Sequence, residues 1–295
     1  MATTTKKGAG SAGIDVSVIV PTYGRPERLA ACLEALAAQD ADAFEVVVVD
    51  DGSVPPVEGV VAAARERAAC PIRYVRQDNA GPAAARNRGA ALARGRLLAF
   101  TDDDCRPAPG WLGALRKAAD EAPDALLGGR TVNALTANIY ASASQDLIGF
   151  LEAEDRTYFA SNNLACGADG FASLGGFEES FPLAGGEDRD FGLRWGASGR
   201  PLVHVPDALV AHHHDLAART FWRQHANYGR GARHMRDRAG AGEGAGHRFA
   251  RLRWYAALVS WPVRTRQRAG LRRAGLLAVA QVATAWGFAT PPKAR

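Results

Sequence analysis

The sequence has only four cysteines in 295 residues, Cys32, Cys70, Cys105 and Cys166, and no two of them form a CxxC pair. That spacing argues against a zinc site and supplies no disulfide framework, so reduced thiols are expected. Long apolar runs are missing too. The two apolar stretches near the C-terminus, residues 254–263 and 271–289, fall short of the ~20 apolar residues that a membrane-spanning helix needs. Residues 1–13 are rich in Thr, Lys, Gly and Ala and lack the apolar segment of a secretory signal. They are expected to form a flexible tail. What remains is globular in composition, 47% apolar and 23% charged. It is long enough for one large α/β domain with an appendage.

What the chain has in excess is basic charge at one end. Residues 230–295 hold 13 Arg and one Lys against Asp237 and Glu243, a local charge of +12 in a chain of net charge +5. Such asymmetry predicts an acidic partner, here an anionic membrane surface and not nucleic acid. Residues 240–246 are expected to be a Gly/Ala-rich linker. Beyond it, arginine clusters alongside Trp254, Trp261 and Trp286 suit helices lying in a membrane interface. The other arrangement has those helices packed on the domain or on a partner.

Alternation of strand and helix signals dominates residues 14–231. Val16 to Val20 is a β-branched run expected to close at Pro21, and Phe44 to Val49 is a second strand ending in Asp50-Asp51-Gly52-Ser53. Leu29, Cys32, Leu33 and Leu36 recur at helical spacing. A third strand is expected at Ile72–Val75, and residues 83–94 are expected to be a helix ended by Gly95. Residues 97–101 form a strand that runs into Asp102-Asp103-Asp104. Near-continuous apolar strands imply a parallel sheet covered on both faces, whose ligands bind at the carboxyl ends of the strands. Pro21 to Arg25, Asp50 to Ser53 and Asp102 to Asp104 all fall at such ends. Three adjacent carboxylates repel one another, and a hard divalent cation is the usual compensation.

Val18-Ile19-Val20-Pro21-Thr22-Tyr23, Val48-Val49-Asp50-Asp51-Gly52-Ser53, Asn79-Ala80-Gly81 with Ala85-Arg86-Asn87-Arg88-Gly89, Asp102-Asp103-Asp104 and Gly186-Glu187-Asp188 occur in that order. In this the chain resembles the family 2 glycosyltransferases, over roughly residues 15–231. The resemblance implies the GT-A fold, a Rossmann-like, mostly parallel mixed sheet flanked by helices, over residues 14–231. Residues 232–295 would add a linker and a basic, amphipathic helical region. It implies an inverting, metal-dependent transferase that moves a sugar from a nucleotide-sugar, best read as a UDP-sugar, to a hydroxyl of a glycan, lipid-linked or polysaccharide acceptor.

By the same resemblance, Asp104 would hold Mn²⁺ or Mg²⁺, and Asp102 would hold the donor's ribose or sugar, with Asp103 between them in the donor-binding set. Asp51 would read the nucleobase, and Pro21, Thr22 and Tyr23 would pack on it. Arg86 would approach the diphosphate, or else be a solvated helix residue. Asp188 would be the catalytic base, with Glu187 in support. His212 would be a further metal ligand, with His214 as second choice because alternate strand residues share a face. Cys105 departs from relatives that carry another Asp, and a thiol is a poor ligand for a hard ion. Two other readings are a sugar-phosphate nucleotidyltransferase, for which Pro21 to Arg25 is a poor triphosphate loop, and a non-catalytic nucleotide-sugar-binding module. The expected location is cytoplasmic, peripheral to the inner face of the membrane.

Overall fold

The computed structural model describes residues 13–154, 157–181, 185–239 and 252–290. The expected flexible tail up to residue 12 and the linker at 240–246 lie outside the described residues. Strands β1 (Val16–Thr22) and β2 (Phe44–Asp50) are buried along their whole length. Each buried Val contributes about 1.5–3 kcal/mol of transfer free energy, provided helices cover both faces. Helices α1 (Pro26–Ala37) and α2 (Glu58–Arg65) cover one face, and α1 turns Leu29, Cys32, Leu33 and Leu36 inward as their spacing predicts. β3 (Ile72–Arg76) pairs parallel with β2. α3 (Pro82–Leu92) then leads to β4 (Leu97–Thr101), which pairs parallel with β1.

Two local expectations need correcting. Pro21 lies inside β1 instead of closing it. Pairing with β4 stops at Ile19 while pairing with β2 continues to Thr22, so proline sits where the strand has one recorded neighbour. α3 ends at Leu92, before Gly95. A Cβ at Gly95 would meet the Ser17 amide nitrogen at 2.6 Å, so this glycine serves close approach to β1 and not a helix cap.

The second half completes an eight-stranded sheet. Its elements are β5 (Cys105–Pro107), α4 (Trp111–Glu121), β6 (Leu126–Asn133), α5 (Ile139–Glu154), β7 (Asn163–Gly167), α6 (Ala168–Ser173), α7 (Glu187–Ala197) and β8 (Leu202–His212). The strand order is β3-β2-β1-β4-β7-β6-β8-β5. β7 runs antiparallel to both β4 and β6, and β8 runs parallel to β6. Two reversals restore the original direction, so the carboxyl ends of β6 and β8 lie on the same sheet edge as those of β1, β2 and β4. Under the second face, Phe100, Phe171, Phe177, Phe191 and Trp195 form an aromatic cluster that seats α7.

Helices α8 (Ala218–Ala239), α9 (Leu252–Arg264) and α10 (Gly270–Ala289) pack with α5. The domain boundary expected after residue 231 falls inside α8, which continues without a break. Gly229 and Gly287 let α8 and α10 touch: a Cβ on either would lie within 2 Å of a backbone oxygen of the other helix. Arg273 of α10 donates to both carboxylate oxygens of buried Asp146 on α5, through Nε at 2.6 Å, and to the Ser142 carbonyl at 3.1 Å. Trp254 and Trp261 pack edge-on against Phe150. The outward face of α10 is different. Leu271, Val279, Val282 and Trp286 share it at helical spacing, and all four are exposed. Among the described residues no helix is long and apolar enough to cross a membrane.

Candidate active site

The strand ends converge on a cleft of about 820 Å³. Its wall includes Pro21 and Thr22 at the end of β1 with Tyr23 just past it, Asp51 after β2, Arg86 on α3, Asp102 and Asp104 after β4, Glu187 and Asp188 at the start of α7, His212 at the end of β8 and His214 just past it. Residues separated by more than a hundred positions in the chain thus meet in one cavity. Of the residues expected to bind donor, hold a metal or act in catalysis, Asp103 alone does not line it.

The acidic triplet is resolved residue by residue. Asp102 accepts from Arg86 Nη2 at 2.7 Å. Asp103, fully buried, accepts from the Thr22 hydroxyl at 2.7 Å and pairs with Arg25 at 2.8 Å. Asp104 meets Arg25 and Arg28, each at 3.3 Å, and His212 Nε2 at 3.3 Å. The repulsion that would call for a metal is therefore offset largely by the chain's own cations. Burial lifts the Asp103 carboxyl to about 7, with Arg25 pulling against it and Asp104 adding to it. Burial acts on Asp104 too, but the hydrogen bond and charge of His212, then Arg25, hold it well below the usual carboxylate range. Asp103, grouped on sequence with the donor-binding residues, is corrected to an internal brace. Its oxygens are spent on Thr22 and Arg25, and it has no exposed surface.

At the end of β2, neighbouring acids divide two roles. Asp50 builds the turn, accepting from the Ser53 and Val57 amides and from the Tyr74 hydroxyl. Asp51 lines the cleft. Its carboxylate accepts from Gln77 Nε2, the Ala80 amide and the Gly81 amide, each at 2.8 Å. A carboxylate offers about four lone-pair sites, so one remains for a ligand donor. Tyr23 stands over the cleft at 55% exposure, free to cover a planar group.

Glu187 and Asp188 open α7 where the helix dipole favours negative charge. They are not equivalent. Glu187 is 4% exposed and held by Arg86 Nη1 at 3.1 Å and the Gly185 amide at 2.8 Å. Asp188 is half-buried and, among the described residues, accepts from two backbone amides, Arg189 at 2.8 Å and Ser161 at 3.4 Å. Loss of solvent, then the neighbouring Glu187 charge, raise the Asp188 carboxyl to about 7. That is the range in which a carboxylate exchanges protons usefully near neutral pH. Arg86, expected to approach a diphosphate, is clamped between Asp102 and Glu187 at 4% exposure, and both carboxylates keep it protonated. Arg86 lines the cleft and bridges half-buried Asp102 and buried Glu187. The turn ahead of α7 is tightly seated as well. Gly186 adopts φ +109°, and a Cβ at Gly231 of α8 would sit 2.0 Å from the Gly185 carbonyl oxygen.

The metal-ligand expectation can be tested on the donor set. β5 and β8 pair with Cys105 opposite His212, and the His213 amide donates to the Asp104 carbonyl at 2.8 Å. This pairing carries the imidazole onto the carboxylate. Asp104, Cys105 and His212 bring ligating atoms within 4.8 Å of one another. A carboxylate oxygen and an imidazole nitrogen fit Mn²⁺ and leave positions for substrate oxygens. The Cys105 thiol is buried, and burial with Asp104 beside it holds it protonated, which makes it a poor third ligand. His214 stacks on His212 at 4.8 Å, and burial, then His212, lower it to about 4.

Sequence reasoning missed Arg25 and Arg28, which line the cleft at 41% and 35% side-chain exposure. Their signal was present: two cations just past the first strand, on the edge where the acidic triplet ends. It also missed Gln77, Ser161 and Asn162, whose loops carry no periodic pattern.

The sequence model described as Glycosyl transferase family 2 matches residues 17–174. Over 232 residues the chain is 30% identical to a pre-mycofactocin glycosyltransferase of Mycobacterium tuberculosis, covering 75% of this chain and 47% of that protein. Over 224 residues it is 31% identical to a validoxylamine A glucosyltransferase of Streptomyces hygroscopicus subsp. jinggangensis, covering 64% and 53%. The chain spans about half the length of these curated relatives. Among solved structures, a mannosyltransferase from Pyrobaculum calidifontis in complex with GDP-Man and Mn²⁺ superposes with a TM-score of 0.60 at 22% identity, covering 92% of this chain and 76% of that one. TarS residues 1–349 from S. aureus superpose with a TM-score of 0.54 at 19% identity, covering 93% and 89%.

Proposed function

Because the chain belongs to glycosyl transferase family 2, with the GT-A fold, we propose that it moves a sugar from a nucleotide-sugar to an acceptor hydroxyl, with inversion and with help from a divalent cation. One observation carries this reading: Asp51, Asp102, Asp104, His212 and Asp188 face a single 820 Å³ cleft. Asp51 would accept from the base, most simply the N3–H of uracil, under Tyr23. Asp102 would hold the donor's ribose or sugar. Asp104 and His212 would hold Mn²⁺ or Mg²⁺, whose charge offsets that of the departing diphosphate. Arg25 and Arg28 would stand beside that diphosphate.

Asp188 would take the proton from the acceptor hydroxyl. That oxygen then bonds to the anomeric carbon, while the carbon–oxygen bond to the diphosphate breaks and its electron pair leaves with the nucleoside diphosphate. Glu187, locked by Arg86, is suited to support and not to proton transfer. A single displacement with one base and no nucleophilic partner inverts the anomeric centre.

A panel of UDP-, GDP- and dTDP-sugars with Mn²⁺, followed for nucleoside diphosphate release and by proton NMR, tests the reading. One donor is expected to turn over, and its sugar to emerge with inverted configuration. A retained configuration would rule out the single displacement.

The acceptor reading, a glycan, lipid-linked or polysaccharide hydroxyl at an anionic membrane surface, is supported by the exposed Leu271, Val279, Val282 and Trp286 face beside exposed Arg264, Arg266, Arg268 and Arg272. The protein is expected to float with vesicles containing phosphatidylglycerol and not with pure phosphatidylcholine. Equal behaviour with both vesicles would remove the electrostatic part of this reading.

A further inference from the structure

Behind Asp188 a second cavity of about 240 Å³ opens between α5, α8, α9 and α10. It shares Ile148, Ala160, Gly185, Asp188 and Tyr228 with the donor cleft, so the two are continuous at the expected base. Its wall is otherwise of a different kind. Leu147, Leu151, Met235 and Trp254 supply apolar surface. The polar part of the lining is Tyr158, Asp188, Arg189, Tyr228, Gln281 and Thr284. The Thr284 hydroxyl donates to the Ala280 carbonyl at 2.8 Å, the Tyr228 hydroxyl accepts from Gln224 Nε2 at 2.6 Å, and the Arg189 guanidinium lies over the Tyr158 ring at 5.7 Å.

A subsite for further sugar units would need free donors and acceptors to replace the water around several hydroxyls. Among the described residues such groups are confined to Asp188, Arg189, Tyr228, Gln281 and Thr284, and the rest of the wall is mainly apolar. It suits an apolar group, and its size bounds that group: a cavity of about 150 Å³ holds one benzene, so 240 Å³ takes one substituted ring.

We propose that the cavity holds a ring-sized apolar group carried by the acceptor, next to the hydroxyl that faces Asp188. The acceptor is then a molecule or conjugate that carries an apolar aglycone beside the hydroxyl that reacts. This rests on the transferase reading for the role of Asp188, and on the cavity alone for the chemistry of its occupant. Met235, unbranched and polarizable, and Trp254 give a wall that adapts to a ring.

Phenyl β-D-glucoside and methyl β-D-glucoside, titrated calorimetrically into the full chain, test this without knowledge of the donor. The phenyl glycoside is expected to bind at least about tenfold more tightly, as burial of one ring's apolar area predicts. Ala232→Phe, which fills the cavity from α8, is expected to abolish that preference. Ile148→Trp fills it from α5 and serves if the first variant melts early. Equal affinities in the wild type, or a phenyl preference that survives both filled variants, would overturn the proposal. Octyl β-D-glucoside binding tenfold more tightly than the phenyl glycoside would also overturn it, in favour of an extended chain. If no nucleotide-sugar turns over but the phenyl preference holds and is lost in the filled variants, the transferase reading fails and the cavity assignment stands.

Discussion

Asp188→Asn is expected to cut sugar transfer by roughly 10²- to 10⁴-fold, the usual contribution of a positioned general base, while donor affinity changes little. The substitution keeps the shape of the side chain and its position in the first turn of α7. The amide oxygen can still accept from the Arg189 amide, as the carboxylate does at 2.8 Å. What is lost is the capacity to take a proton. The wild-type pH profile should carry the same signature. Asp188 is raised to about 7 by loss of solvent and by Glu187. Below that value it is protonated and cannot act as a base, so kcat/KM should fall as the pH drops through 7 and level off above it. Asp188→Asn should flatten this limb. Turnover of Asp188→Asn at the wild-type rate, with the acidic limb intact, would move the base elsewhere. Glu187 is the nearest candidate, but its pairing with Arg86 leaves it poorly placed to accept a proton.

Much of this arrangement was legible in the sequence, and the reasons differ from element to element. β1 and β2 are read directly from continuous valine and isoleucine runs, because strands buried on both faces leave no other pattern. α1 is read from its four inward residues. The ends of those strands carry the acids, so the cleft follows from topology once the sheet is taken as parallel. α5 was not readable. Its sequence mixes Ser, Ala, Gly and Tyr, and its buried positions include Ala141, Ser142, Ala143 and Ser144, whose small side chains give a weak periodic signal. β5 has three residues, too few for any pattern, yet its pairing with β8 is what brings His212 to Asp104.

The charge pairings were hidden for another reason. Spacing in sequence marks Asp102, Asp103 and Asp104 as a group, but which of them faces the cleft depends on Arg25 and Arg28, some 75 residues earlier in the chain. Thr22 lines the cleft, and its hydroxyl is donated to Asp103 beneath it, a pairing that sequence spacing does not reveal. The second cavity was beyond sequence reasoning altogether, since four helices from two parts of the chain build it.

Asp104→Asn is expected to have the second large effect. Asp104 gathers His212, Arg25 and Arg28 on one carboxylate. With a neutral amide there, a divalent cation loses its only anionic protein ligand in the proposed set. The two arginines also lose their anchor on that side, although Arg25 keeps Asp103. His212→Ala removes the nitrogen donor alone and should weaken metal dependence less, since the carboxylate carries the charge.

Calorimetric titration of the nucleotide-sugar that turns over, with Mn²⁺ and with the metal chelated, tests the cleft assignment most directly. The account predicts that the wild type binds the donor at least about tenfold more tightly with Mn²⁺, a difference of about 1.4 kcal/mol, and that Asp104→Asn loses this difference. Equally tight donor binding by both proteins with the metal chelated would contradict it.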